Sequence, residues 1–341
     1  TQELMGHKHT SIVLATGGPG LVTAAYSSGN PAIGVGAGNV PVFIHESADV
    51  DQAVKCIVLG QVFDNGTICS SEQAIVCDRS LASRALEAFR QRGAHICTPE
   101  EIKKLEPVVN RGGHMNPQIV GRFPRVIARM AGFTVPDDTT VLVAPYEKVG
   151  PEGPLSIEKL CPLVTFFTVD GASQGAAVCR SVLEYGGMGH TCGIHATDQS
   201  AIEAYGIAMP ACRINVNTPT TQGSIGYTTN LLPSMTLGCG TPGGNIYSEN
   251  IGPQHLINVK RIALVNTRML EEDERLEAKL RREFGDPLLP WHKSGIERGG
   301  VQPRPVVSAP ATAARSGSSN TQGASPLTPS DIDSILSRRG R

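Results

Sequence analysis

The 341-residue sequence lacks net charge: 30 Lys and Arg stand against 31 Asp and Glu, a formal balance of −1. No broad field therefore attracts nucleic acid or an anionic membrane surface. No apolar run approaches the roughly 20 residues of a membrane-spanning helix, and no signal pattern opens the chain. Nine cysteines occur without a C-x-x-C pair, and nine histidines fall in no metal-ligand spacing. An odd number of scattered cysteines points to free thiols in a reducing compartment. The dinucleotide fingerprint G-x-G-x-x-G is missing too. Gly34-Val35-Gly36-Ala37-Gly38-Asn39 has the wrong spacing and no helix after it.

What is present is an alternation of strand-like and helix-like segments, which predicts an α/β fold of two domains with appendages. Ser11–Ala15 reads as a buried strand, apolar without alternation. Thr16-Gly17-Gly18-Pro19-Gly20 is a tight turn, and Leu21–Ser27 has helical spacing. Strand, glycine-rich turn and helix in that order present backbone N–H groups to a phosphate. Val40–Ile44 reads as a strand. Asp49–Phe63 reads as a helix with Val50, Val54, Ile57, Val58 and Val62 on one face, capped by Ser47 or Asp49. Further helices are predicted over 80–92, 99–105, 122–131 and 173–185. Strands are predicted over 72–77, 119–121, 141–144, 163–169, 193–195 and 213–216. Residues 217–255 are rich in Gly, Asn, Thr and Pro, the composition of a long irregular stretch that borders a site or a subunit contact.

The C-terminal part has another character. Arg268–Phe284 is a charged helix with Leu276, Leu280 and Phe284 on one stripe. Residues 303–326 are mostly Pro, Ser, Ala, Thr and Gly and read as a flexible linker. A short helix is predicted beyond it. Thr328 serves as N-cap, Pro329 stands at the first helical position, and Leu327 staples onto Ile332. Ile332, Ile335 and Leu336 form an apolar face that needs a partner surface.

The nucleophile candidate is Cys69, at the end of the loop Phe63-Asp64-Asn65-Gly66-Thr67-Ile68-Cys69. A thiolate is favoured where backbone N–H groups point at the sulfur, as in such loops. Three separated stretches are then specific in combination: Ala15–Gly20, Gly34–Asn39 and Phe63–Gln73. With them go Gly189-His190-Thr191, Ile214–Pro219, and Leu237–Gly240 through Ser248–Leu256. Over roughly residues 1–265 the chain resembles the CoA-acylating aldehyde dehydrogenases. Among these are the propionaldehyde and acetaldehyde dehydrogenases of bacterial microcompartments and the aldehyde dehydrogenase half of bifunctional alcohol/aldehyde enzymes.

The resemblance implies an aldehyde dehydrogenase-like α/β fold with a partial Rossmann-type cofactor domain. Residues 1–44 are the remnant of the nicotinamide-binding domain, whose upstream strands are expected to precede Thr1. Residues 45–240 are the catalytic domain, and 241–265 the return segment to the cofactor and oligomerisation region. Residues 266–300 are the charged helix and extension, 301–326 a disordered linker, and 327–341 an encapsulation helix. The resemblance also implies that Cys69 attacks a short aldehyde, with NAD as hydride acceptor and coenzyme A as acyl acceptor. Thr16, Gly17, Gly18 and Pro19 would meet the cofactor pyrophosphate. Glu158, in Glu158-Lys159-Leu160-Cys161-Pro162, would hold the nicotinamide ribose. His190, in a Gly-rich turn, would accept the CoA thiol proton, while Cys239 is read as packing. A homo-oligomer is implied, located in the cytoplasm inside a microcompartment, with shell or cargo proteins as partners of 327–341.

One departure bears on the reaction. Hydrolytic members of the superfamily carry a glutamate in the segment that aligns near Gly34–Gly38. Here Gly34 to Ile44 contains no acidic residue, and Glu46 beyond it is expected at the surface. A thioester without a local base hydrolyses slowly but reacts readily with a thiol, which favours transfer to coenzyme A. Two alternatives stand beside this: a reductase of a phosphorylated acid of the semialdehyde dehydrogenase type, which an arginine-lined pocket would favour, and an inactive shell-interaction module.

Overall fold

The computed structural model describes residues 1–285. The expectations for the rest of the extension, the linker 301–326 and the helix 327–341 lie outside the described residues. Two compact units divide at Val259/Lys260.

In the first unit, eleven strands alternate with nine helices. The strands are β1 (Val13–Thr16), β2 (Ala32–Val35), β3 (Val40–Ile44), β4 (Glu72–Asp78), β5 (His95–Ile96), β6 (Asn110–Arg111), β7 (His114–Met115), β8 (Leu142–Pro145), β9 (Leu163–Val169), β10 (Gly189–His195) and β11 (Ala211–Val216). The helices are α1 (Gln2–Met5), α2 (Pro19–Tyr26), α3 (Val50–Val62), α4 (Arg79–Gln91), α5 (Pro99–Val109), α6 (Pro124–Met130), α7 (Gly171–Gly186), α8 (Gln199–Ala208) and α9 (Thr220–Ser224). Seven strands form one parallel sheet in the order β11-β10-β3-β4-β9-β8-β5. β1 and β2 form a small parallel pair, backed by α2.

The large sheet is parallel because its strands are apolar on both faces and each return passes through a covering segment. Along β3 the faces alternate. Val42 and Ile44 pack with Val54, Ile57, Ile75 and Phe89 on the α3/α4 side. Phe43 packs with Val76, Phe167, Leu183 and Tyr205 on the α7/α8 side. Asp49 caps α3 through a bond from Gln52 N to its Oδ1 at 3.1 Å.

Several predicted elements shift. Residues 119–121 are not a strand; Pro117–Ile119 is a 3₁₀ turn, because Asn116 caps it and Pro117 cannot donate to a ladder. β10 begins at Gly189, so His190 lies inside a buried strand and not in a turn. β3 pairs with β4 and β10, so the change from the small sheet to the large one falls between Val35 and Val40, earlier than residue 44. β2 and α8 carried too short or too mixed an apolar pattern to be seen. Glu46 is exposed and all nine cysteines are free, as expected. Among the described residues no helix is long and apolar enough to cross a membrane.

In the second unit, α10 (Thr267–Phe284) is capped by Asn266, and its exposed surface carries i,i+4 pairs such as Arg268–Glu272 and Arg281–Glu277. Leu276, Leu280 and Phe284 remain exposed along it.

The packing of α7 on β3 depends on the bare backbone of Gly175, where a Cβ would fall 2.5 Å from two carbons of the buried Phe43 ring. Gly175→Ala is expected to destabilise the fold by about 1–3 kcal/mol. Gly206→Ala in α8, with nothing within 4 Å, should be neutral or stabilising. Urea midpoints of the two variants check this, and equal midpoints would contradict the packing.

Candidate active site

Residues singled out by sequence gather at one end of the central strands of the large sheet. Gly38 lies two residues before β3, Cys69 precedes β4, Glu158 precedes β9, and His190 is the second residue of β10. The sheet order puts β10, β3, β4 and β9 side by side, so four segments remote in sequence arrive at the same end. This is the amino-terminal end of the parallel strands, opposite to the carboxyl end used by open doubly wound sheets.

Gly38 is where they meet. A Cβ there would collide with the Cys69 carbonyl oxygen and with the His190 ring. The Gly38 N–H donates to Glu158 Oε1 at 2.9 Å. Only a residue without a side chain fits between these three groups.

The turn carrying Cys69 leaves α3 abruptly. Asp64 and Asn65 both have φ of +49° and Gly66 +71°. Asp, Asn and Gly are the residues that tolerate this left-handed region best. Asn65 Nδ2 donates to Gly121 O at 3.2 Å, and Ser71 N to Ile68 O at 2.8 Å, closing the turn around Cys69. Gly66 allows the backbone of Cys161 to come within 3.0 Å of its would-be Cβ. Gln61 Nε2 also donates to Cys161 O at 2.7 Å. These contacts press the Glu158–Cys161 segment against the turn that carries Cys69. Leu160 in that segment holds φ of +51°, a conformation that costs a branched residue about 1–2 kcal/mol.

Below the turn, fully buried Glu72 accepts from Thr220 N at 2.7 Å, and Thr220 Oγ1 donates to Ser70 O at 2.7 Å. The start of α9 is thereby bolted to Ser70, the residue after Cys69. Burial pushes the Glu72 carboxyl up to about 7, and its Oε2 has no hydrogen-bond partner.

Cys69 opens onto a cleft of roughly 310 Å³, whose other lining residues include Thr16, Gly17, Gly18, Glu158, Leu160 and Leu237. Thr16, Gly17, Gly18 and Glu158 therefore share a wall with the thiol. Pro19 instead lines a neighbouring cavity. His190 lines neither. It is fully buried, its Nδ1 lies 2.9 Å from Thr191 Oγ1, and its Nε2 has no partner. Burial, with Arg213 adding, drops the imidazole to about 3, so it is neutral.

The thiol is not poised as a thiolate. Burial pushes Cys69 up to about 12, with the charge of Glu158 and the thiol of Cys239 adding to the shift. Arg213 and the Cys69 backbone amide oppose it. Glu158 is itself raised to about 7 by burial, against the pull of Gly38 N–H and Lys159. The expectation of a thiol with no carboxylate nearby is thus corrected: none comes from Gly34–Ile44, but Glu158 shares the cleft.

Arg213 is the residue that sequence reasoning missed. It is 3 % exposed, and its guanidinium donates to Gly238 O at 2.6 Å, with longer contacts to Asn250 Oδ1 and Thr191 Oγ1. No carboxylate pairs with it among the described residues, while Cys69, Cys212 and Cys239 all act on its charge. A single arginine in the apolar strand Ala211–Val216 was the available signal.

Comparison with known proteins agrees with this geometry. Residues 1–129 match the model of the aldehyde dehydrogenase family. An acetylating aldehyde dehydrogenase of Geobacillus thermoglucosidasius superposes with a TM-score of 0.76 at 51 % identity, over 77 % of this chain and 58 % of that one. Over the matched residues the chain is similar to the aldehyde dehydrogenases in sequence and in fold. The aldehyde-alcohol dehydrogenase of Clostridium acetobutylicum is 43 % identical over 275 residues, which is 79 % of this chain and 32 % of that protein. A propionaldehyde dehydrogenase from the fucose utilisation microcompartment of Clostridium phytofermentans superposes with a TM-score of 0.66 at 28 % identity, over 72 % of this chain and 55 % of that one. The chain thus spans about a third of the first curated relative and under two thirds of the solved chains.

Opposed charges around the sulfur give a signed prediction. Glu158→Gln removes a raising influence, so the pH midpoint for alkylation of Cys69 by iodoacetamide should fall. Arg213→Met removes a lowering one, so the midpoint should rise. Rates measured by mass spectrometry across pH check both signs, and an unmoved midpoint in Glu158→Gln would contradict the arrangement.

Proposed function

We propose that the protein oxidises a short-chain aldehyde to an acyl-CoA, with a nicotinamide dinucleotide as hydride acceptor and Cys69 as the acyl carrier. The observation that supports it most is the shared cleft: the Cys69 thiol, the bare backbone of Thr16-Gly17-Gly18 and the Glu158 carboxylate line one cavity.

The cleft residues fit such a cofactor. A Cβ on Gly18 would meet nothing within 4 Å, leaving open space where a pyrophosphate would approach the start of α2. Glu158, held by Gly38 N–H, offers a carboxylate acceptor for a ribose hydroxyl. When bound, the nicotinamide supplies the acceptor for a hydride. The chain's own residues do the rest. The Cys69 proton leaves to a group in the cleft, and Glu158, near neutral in its pKa, is the acceptor within it. The sulfur adds to the aldehyde carbonyl, and loss of hydride leaves a thioester on Cys69. A second thiol, that of coenzyme A, then attacks this thioester, and Cys69 departs as the leaving group. His190, neutral and packed on Gly38, supports the floor of the site in place of the proton-accepting role expected from sequence.

The name of the Geobacillus relative supports the acylating reading, and the absence of an acid between Gly34 and Ile44 supports it further. The phosphorylated-acid alternative gains nothing from Arg213, whose donors go to Gly238, Asn250 and Thr191, and which does not line the cleft. NAD, propionaldehyde or acetaldehyde as substrate, and a microcompartment location belong to this proposal. They draw on the Clostridium phytofermentans likeness and on the tail at 327–341.

Full-length protein given propionaldehyde and NAD should form NADH only when CoA is present. Cys69→Ala should reduce turnover by at least about 10³-fold. Equal rates without CoA would mean that Glu158 readies water and that the product is the acid. Deleting residues 302–341 should abolish co-sedimentation with microcompartment shells while NADH formation survives; unchanged co-sedimentation would remove the tail from the proposal.

A further inference from the structure

A second group of chemistry-bearing side chains lies at the edge of the large sheet, and none of its members lines the cleft around Cys69. His95 N donates to Val141 O at 3.0 Å and Cys97 N to Val143 O at 2.8 Å, continuing the ladder of edge strand β5 onto β8. Two residues apart in an extended chain, His95 and Cys97 project from the same side. Thr98 then caps α5, and Glu101 closes a capping box: Glu101 N donates to Thr98 Oγ1 at 3.3 Å, and Thr98 N to Glu101 Oε2 at 2.8 Å. That box folds the Glu101 carboxylate back over the strand end, where Oε2 lies 2.9 Å from His95 Nε2. One ligand atom each from His95, Cys97 and Glu101 lies within 4.8 Å of the other two.

We propose that His95, Cys97 and Glu101 form a transition-metal site of the zinc type, which staples the edge strand β5 to the start of α5. Bonds of about 2.0–2.3 Å in a tetrahedron place ligand atoms about 3.3–3.8 Å apart, so closure needs shifts of about 1 Å or less. One imidazole, one thiolate and one carboxylate select zinc or cobalt over the hard cations magnesium and calcium. The side chains of His95 and Glu101 are 26 % and 17 % exposed, which leaves an entry path and room for a water as fourth ligand.

The donor chemistry is consistent. Burial would raise the Glu101 carboxyl, but Thr98 N–H and His95 hold it below its usual value, so it is a carboxylate near neutrality. Burial, with Glu101 adding, pushes the Cys97 thiol up to about 12. Metal binding therefore forms the metal–sulfur bond as the thiol proton leaves to solvent, and affinity rises with pH. His95 gives the Nε2 lone pair, and its ring lies 6.2 Å from that of Phe133, which limits its rotation. The spacing H-x-C-x₃-E belongs to no familiar metal motif. The strand end and the capping box bring it together.

The test is titration of the untagged full chain with cobalt(II) alone. The expected result is a thiolate-to-cobalt charge-transfer band that saturates at one metal per chain and is displaced by zinc. Cys97→Ser should abolish the band, His95→Gln or Glu101→Gln should weaken binding about 10-fold or more, and Cys69→Ala should keep it. Zinc should also raise the melting midpoint of the unaltered chain but not of Cys97→Ser. No band, or a band that survives Cys97→Ser or disappears in Cys69→Ala, would overturn the proposal and leave His95–Glu101 as a plain hydrogen-bonded pair.

Discussion

Everything at the cleft depends on one residue having no side chain. Gly38 is the spacer between the carbonyl of Cys69, the imidazole of His190 in β10 and the Glu158 carboxylate that precedes β9. Its N–H fixes Glu158, and its bare Cα lets the Cys69 turn and His190 close on it. The large sheet supplies the rest of the constraint. Four neighbouring parallel strands start at this point, so their entry segments cannot avoid meeting. Other supports are second to this one: the left-handed Asp64-Asn65-Gly66 turn, the Glu72–Thr220–Ser70 tie and the strained Leu160 each hold one wall of a site whose centre is already set.

The electrostatics follow from that enclosure. Close packing strips water from the sulfur, which raises the cost of its charged form and keeps the thiol protonated. The same enclosure raises Glu158 toward neutrality and keeps His190 uncharged. Arg213 is the exception, a buried guanidinium held by Gly238, Asn250 and Thr191 with no carboxylate partner among the described residues. A buried charge without a counter-ion is costly. The Arg213 charge acts to lower the pKa of the Cys69 thiol, against the larger effect of burial.

Much of the fold was legible because apolar patterning alone fixes which segments must be covered. β3 and β9 are largely apolar runs, β4 carries one at Ala74–Cys77, and α3 and α4 carry their inward faces at helical spacing. Short elements were not legible. β2 has four residues, and at Pro117–Ile119 a cap and a proline decided for a 3₁₀ turn against a strand. At the site, Cys69 and Thr16-Gly17-Gly18 were visible because turn chemistry is local. His190 was misplaced, since glycines on either side of it mark a turn in sequence while the sheet extends the strand through them. Arg213 and Glu72 were invisible as participants, because their partners lie 22 to 148 residues away.

The amino-acid order by itself determined the alternation of helix and strand, the turn that exposes a thiol, the glycine loop opposite it and the want of an acid between Gly34 and Ile44. These are matters of local conformation and residue type, which the chain carries wherever it goes. Tertiary structure alone decided that Glu158 shares the cleft, that His190 is sealed beneath it, that a lone arginine is buried against Gly238, Asn250 and Thr191, and that His95, Cys97 and Glu101 converge at the sheet edge. Strand order and burial set those relations, and both are properties of the packed sheet, in which distance along the chain no longer measures distance in space.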